Sequence, residues 1–197
     1  MLFRSVDRTK QLGGAVYVPP TDVPNISRFS VVADPQMATL ALVKGLKTGQ
    51  AQSAAPGAPG RVGWHELLAA DWEKALAFYS ELFGWQKADS HVGVMGTYQE
   101  FSAGGETIGG MFTKPSAVQV PFWLYYFNID DIQAAASRVE AGGGQILYGP
   151  TEVPGGAWIV HCADPQGAMF ALLDRRSRKA IGYFYFERTA SRDPADR

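Results

Sequence analysis

The chain is poor in the residues that most often carry chemistry or anchor a protein. Its 197 residues include one cysteine, Cys162, and three histidines, His65, His91 and His161. A single thiol excludes an intramolecular disulfide and fits a reducing compartment. Charged residues make up only 19% and nearly balance at −1, so no basic footprint points to nucleic acid or an anionic membrane surface as a partner. No apolar run reaches the ~20 residues of a membrane-spanning helix. The first eleven residues mix Arg4, Asp7, Arg8 and Lys10 with their apolar residues, unlike a secretory leader. These absences predict a soluble, cytoplasmic protein. Residues 45–60 lack aromatics altogether, are rich in Gly, Ala, Ser, Gln and Pro, and read as a flexible linker.

What is present is a 46% hydrophobic composition, ample for a packed core, and one strongly patterned stretch from Gly63 to Trp85. It opens as a strand with Trp64, Glu66 and Leu68 on one face and His65 and Leu67 on the other. Asp71 stands at a helix N-cap with Glu73 in the first turn. Behind it Trp72, Ala75, Leu76, Tyr79, Leu82 and Phe83 recur at three- and four-residue steps, one apolar stripe. Gly84 suits the left-handed position that closes a helix. Short strands are expected near 85–88, 97–102 and 106–112. An aromatic strand follows at 122–129, then a helix capped by Asp130 or Asp131 and ended by Gly142-Gly143-Gly144, and three strands near 145–148, 158–163 and 168–173.

The N-terminal piece repeats the end of this series. Shifted by 130 positions, residues 13–43 match residues 143–173 at thirteen of thirty-one places without a gap. The shared Asp-Pro-Gln is a type I turn signature, finished by Gly167 in the second copy but by Met37 in the first. The repeat expects a helix over 2–12 and strands at 15–18, stopped by Pro19-Pro20, at 28–33 and at 38–43. Residues 1–44 are thus the last helix and three strands of a module whose complete copy occupies 61–175. Residues 176–197 form a tail.

Two strand–helix–three-strand units, the first carrying D-W-E-K-A-L-A-F-Y-S-E-L-F-G-W and the second A-D-P-Q-G-A, resemble the vicinal oxygen chelate superfamily. That group takes in glyoxalase I, extradiol dioxygenases and bleomycin-resistance proteins, and the chain is most similar to its tandem-module glyoxalase-like members. The resemblance implies an α+β fold in which paired βαβββ units form a curved, open mixed sheet, its concave face the site. In metal-using members a divalent ion polarises vicinal oxygens or activates dioxygen there. Counted from Asp71, Asp130 and Asp164, three of the positions that would hold it carry Trp64, Leu124 and Ala171, none able to ligate. No metal and no other cofactor is expected.

The cup is instead expected to present Trp64, Leu124, Tyr126 and Met169, with Trp158 and Trp123 at its edges and Glu66, Tyr98 and Glu100 as polar entries beside Asn128. Glu66 is the candidate catalytic residue, since a carboxyl buried among aromatics has a raised pKa and can act as a general acid or base; the plainer reading is that it hydrogen-bonds to fix strand geometry. His65 turns to the opposite face, His161 reads as a structural histidine, and His91 sits in a loop facing solvent. Three functions stay open: metal-free binding of a small molecule in an aromatic cup, a metal-dependent lyase or dioxygenase of the same superfamily, and a truncated, non-catalytic interaction protein. Because residues 1–44 lack a partner unit, a homodimer is expected, the alternative being that they fold back on their own module.

Overall fold

The computed structural model describes residues 2–45, 57–93, 96–153 and 156–175. The linker expected over 45–60 lies largely outside these, and the tail 176–197 lies wholly outside. The complete module runs β4 (Val62–Ala69), α2 (Trp72–Phe83), β5 (Gln86–Gly93), β6 (Gly96–Ala103) and β7 (Glu106–Thr113), then β8 (Phe122–Ile129), α3 (Ile132–Ala141), β9 (Gln145–Val153), β10 (Ala157–Ala163) and β11 (Met169–Asp174). Before it stand α1 (Leu2–Gln11), β1 (Ala15–Val23), β2 (Ser27–Ala33) and β3 (Thr39–Gly45). The eight module strands form one mixed sheet in the order β5-β6-β7-β4-β8-β11-β10-β9, so the two βαβββ units meet where β4 and β8 pair antiparallel at the centre.

The helix signals act as the sequence requires. The Asp71 carboxylate accepts from the Lys74 amide, and Gly84 takes φ 75° to close α2. Of the two candidates for the second cap it is Asp131 that accepts, from the Gln133 and Ala134 amides. Strand alternation then sorts the core into two faces. Leu67, Ala69, Phe101, Met111 and Trp123 pack under α2, and Val160, Cys162 and Leu172 pack under α3. The opposite, concave face gathers Trp64, Leu68, Tyr98, Phe112, Leu124, Tyr126, Ile159, Ala171 and Leu173.

The repeat is structural to the level of single residue pairs. In β1–β2, Ala15↔Ala33, Val16↔Val32, Val18↔Val31 and Thr21↔Phe29 carry the same interruptions as Gln145↔Ala163, Ile146↔Cys162, Tyr148↔His161 and Thr151↔Ile159 in β9–β10. Two strands run further than expected. Pro19-Pro20 does not end β1, and β9 continues through Pro150 to Val153. Both are outermost strands, where a residue without an N–H is tolerated beside a bulge. The Met37 turn also matches its counterpart, with Met37 at φ 79° and Gly167 at φ 87°.

The N-terminal unit packs on its own module. The Tyr79 hydroxyl donates to Asp34, Gln36 exchanges two hydrogen bonds with the backbone of Asp71, Arg8 pairs with Glu81, and Ala38 is buried among the α2 side chains. So the helix-bearing face of the unit is covered within one chain, by the module to which it is joined. The physical reason is that α2 offers an aromatic ridge, with Phe83 packed against the cluster that Leu2, Val6, Val32 and Leu42 form. Its other face is not covered in this way: Ala41 and Val43 are exposed.

Candidate functional site

The concave face carries a chain of hydrogen-bonded polar groups set in apolar surroundings. Glu66 comes from the middle of β4, where period-two alternation puts it beside Trp64 and turns His65 away. Its carboxyl is fully buried. The Tyr98 hydroxyl donates to Oε2 at 3.1 Å and itself accepts from the Trp64 indole at 2.9 Å. The Tyr126 hydroxyl lies 3.0 Å from Oε1 and 2.9 Å from Nε2 of His161. Three strands, β4, β6 and β8, therefore meet at one carboxyl, and β10 joins them through the Tyr126 hydroxyl.

Two glycines make the arrangement possible. Gly110 on β7 sits directly opposite Glu66 and also opposite Glu100, and a Cβ there would lie 2.3 Å from the Tyr98 ring. Its neighbour Gly109 leaves the same room for Phe101 on the other face. The sequence shows Gly109-Gly110 inside a strand, where glycine commonly marks close approach of a neighbour, and that signal could have located the Tyr98 ring.

Burial sets the proton affinities. Desolvation raises the Glu66 pKa to about 7, although hydrogen bonds from Tyr126 and Tyr98 oppose the shift. It lowers His161 to about 4 and lifts the Tyr98 phenol well above its ordinary range. Glu100 is raised by burial, against the hydrogen bond from His91, whose Nε2 lies 3.3 Å away.

Among the expected site residues, Trp64, Glu66, Tyr98, Leu124 and Tyr126 come together on the concave floor, and Glu100 lies next to it. Met169 shares their strand face, at the exposed start of β11. Trp158 and Trp123 do not join them: both alternate to the helix-bearing face, Trp158 packing with the residues beneath α3 and Trp123 with those beneath α2. His91 is not a loop residue facing solvent but part of β5, paired with Tyr98 and bonded to Glu100. His161 is the residue that sequence reasoning left out of the site. Alternation along β10 puts it on the face of Ile159, opposite Trp158. Tyr148, opposite it on β9 with rings 5.5 Å apart, is half-exposed at the rim. Asn128 is buried with both side-chain polar atoms lacking a partner among the described residues.

The donor set does not fit the divalent ion of the metal-using members. Trp64, Leu124 and Ala171 lie buried in the concave cluster, both Glu66 oxygens are held by tyrosines, and no group of three His, Cys, Asp or Glu among the described residues could hold a metal. Cys162 faces α3 with its thiol pushed up to about 11 by burial, away from His161. On the opposite side of the sheet a cleft of about 590 Å³ separates the N-terminal unit from the module. Phe83, Trp85, Trp123, Tyr125 and His65 line it together with β3. His65 is fixed there by donating from Nδ1 to the Ile108 carbonyl. Among the described residues no helix is long and apolar enough to cross a membrane.

Residues 61–172 match the family model described as Glyoxalase/Bleomycin resistance protein/Dioxygenase superfamily. The protein called "Putative glyoxylase CFP32" from Mycobacterium tuberculosis is 30% identical over 168 residues, 85% of this chain and 64% of its own. The anthracycline biosynthesis protein DnrV of Streptomyces peucetius is 31% identical over 131 residues, 58% of this chain and 47% of its own. The chain thus spans less than two thirds of the length of the curated relatives named here. By fold it is similar to the Mn(II)-bound glyoxalase from Novosphingobium aromaticivorans, with TM-score 0.61 at 14% identity over 94% of this chain and 62% of that one. The 2,2',3-trihydroxybiphenyl 1,2-dioxygenase from Sphingomonas wittichii gives 0.62 at 13% identity, over 93% and 68%. With the paired βαβββ units, their curved mixed sheet and the match over more than half of its length, the chain belongs to the glyoxalase/bleomycin resistance protein/dioxygenase superfamily.

Proposed function

We propose that the chain binds a small molecule at the concave face without a metal ion, and that Glu66 is the group this ligand meets through its tyrosine partners. The observation that carries this reading is the pair of tyrosine hydroxyls on the two oxygens of a carboxyl buried above an apolar floor. Such a site offers aromatic surface and one protonatable group, which suits a flat aromatic or dicarbonyl compound of low charge. The ligand would enter at the rim formed by Tyr148 and Met169, which are exposed on the concave face. The cytoplasm is the compartment that suits a chain with one buried thiol.

The test is metal analysis of the purified chain together with a thermal-shift screen of aromatic and dicarbonyl compounds. Binding that raises the melting temperature in chelator, and that Glu66→Gln weakens, is the expected result. Stoichiometric zinc, nickel, manganese or iron bound by the concave strands would sink the metal-free reading. A screen with no binder would favour an interaction protein.

We also infer a homodimer. Among the described residues β3 has β2 on one side and no strand on the other, and Val43 on its outward face is 65% exposed. An open edge beside exposed apolar side chains invites a second copy. Light scattering at micromolar concentration returning a mass near 21.4 kDa would dispose of it.

A further inference from the structure

Across the sheet from the concave face, the cleft between the N-terminal unit and the module carries polar groups of its own. Its volume of about 590 Å³ falls in the range of small-molecule pockets. Strand β3 supplies one wall, and the module supplies Trp85, Trp123, Tyr125 and His65. The His65 and Tyr125 rings stand at 87° to each other with centroids 5.8 Å apart, an aromatic corner.

The polar atoms of this wall are not used up by the protein. A carbonyl can only accept, so neutral His65 carries its proton on Nδ1, which donates to Ile108 at 2.9 Å, and Nε2 is left as a lone-pair acceptor. Nε2 of His65, the Tyr125 hydroxyl and the Trp85 indole N–H have no hydrogen-bond partner among the described residues. All three residues are only half-buried. Burial raises the Tyr125 pKa, so its hydroxyl stays protonated at neutral pH. A few unsatisfied donors and acceptors set in aromatic surface are what orients a small ligand. On the opposite wall Lys44 is the one charged side chain among the described lining residues, and it pairs with no carboxylate among them. Arg28, opposite it on β2, is held by Asp22.

We propose that this cleft is a second ligand site, for a planar aromatic anion of the arene carboxylate class. The ring lies in the corner of Tyr125 and His65, and the carboxylate meets the Lys44 ammonium. A hydroxyl or N–H on the ring donates to Nε2 of His65, and the Tyr125 hydroxyl donates to a ligand oxygen. Planarity follows from the aromatic wall, and the sign of the charge follows from Lys44. The concave face, with its buried carboxyl, suits a compound of low charge, so the two sites select different ligands.

The test uses the full chain labelled with ¹⁵N-tryptophan, with hydroxynaphthoate as probe and hydroxynaphthamide as its neutral counterpart. Calorimetry should give one equivalent bound, and the indole signals of Trp85 and Trp123 should shift while those of Trp64 and Trp158 stay in place. The amide, and the exposed Lys44→Glu with the acid, should each bind about tenfold more weakly or worse. Tyr125→Phe should weaken binding about threefold at an unchanged melting temperature, because the hydroxyl it removes has no partner among the described residues. Glu66→Gln, which alters the concave face, should leave this binding as it is, so the two sites can fail separately. No binding, equal binding of acid and amide, or shifts at Trp64 in place of Trp85 overturns the proposal. A second copy that fills the cleft, seen as Trp85 shifts on dilution without probe and no binding by the undiluted chain, overturns it as well.

Discussion

Tyr79, in the middle of α2, donates its hydroxyl proton to Oδ2 of Asp34 at 3.1 Å, joining the complete module to the turn of the N-terminal unit. The Tyr79 hydroxyl oxygen in turn accepts from the Trp123 indole at 3.1 Å. Burial raises the pKa of both Tyr79 and Asp34. Tyr79→Phe would strand a buried indole N–H and a carboxylate oxygen together. The expected cost is about 1–3 kcal/mol, read as a fall in the urea midpoint. A midpoint equal to wild type would mean that the two parts do not depend on this contact.

Asp34 and Asp164 each accept two backbone amides through Oδ1, in turns that superpose residue for residue. Met37 nevertheless holds the left-handed conformation that Gly167 holds in the second copy. A side chain there costs about 1–2 kcal/mol, partly offset by the entropy glycine loses. Met37→Gly should therefore stabilise by about 0.5–1 kcal/mol, and Gly167→Ala should destabilise. Thermal unfolding of the two variants checks both signs.

Gly110→Ala tests the close approach beneath Tyr98. The new Cβ would meet two ring atoms and the hydroxyl oxygen of Tyr98 within 2.5 Å. The ring must leave Glu66 or the strands must part, a cost of about 1–3 kcal/mol. Loss of the Tyr98–Glu66 bond should also raise the Glu66 pKa further, visible in its carboxyl ¹³C titration. An unchanged titration and melting temperature would show that the ring has room to move.

The pH dependence of stability should be flatter than either buried group alone would make it. Glu66 rises from 4.5 to about 7 on folding, so the folded state binds more protons in that window and stability falls as pH rises through it. His161 drops from 6.5 to about 4, so the unfolded state binds more protons there and stability rises with pH. The two slopes oppose each other between 4.5 and 6.5, where folding in effect moves a proton from His161 to Glu66. Glu66→Gln should expose the rise and His161→Gln the fall, each on the order of 3 kcal/mol in total. Urea titrations at several pH values, with both variants as flat as wild type, would contradict this assignment.

Much of the fold was legible in the sequence because its causes are local. The Asp71 and Asp131 caps, the apolar stripe of α2, Gly84 and the alternation that turns Glu66 and His65 apart all act within a few residues. The repeat carried the pairing register of β1–β3 over from β9–β11 because equal turns and bulges impose equal registers. Strand ends were less legible: Pro19 and Pro150 look like terminators unless the strand is known to lie at the edge of its sheet. The concave face was half legible, since alternation selects a face but not its neighbours. That Tyr98 and Tyr126 converge on one carboxyl, with His161 behind Tyr126, depends on strand order β6-β7-β4-β8-β11-β10 and on two glycines that let a ring cross. Likewise, nothing near Asp34 announces Tyr79, forty-five residues on. Short-range geometry is written in spacing, whereas the proton affinities of Glu66 and His161 come from desolvation, which exists only once distant strands have closed around them.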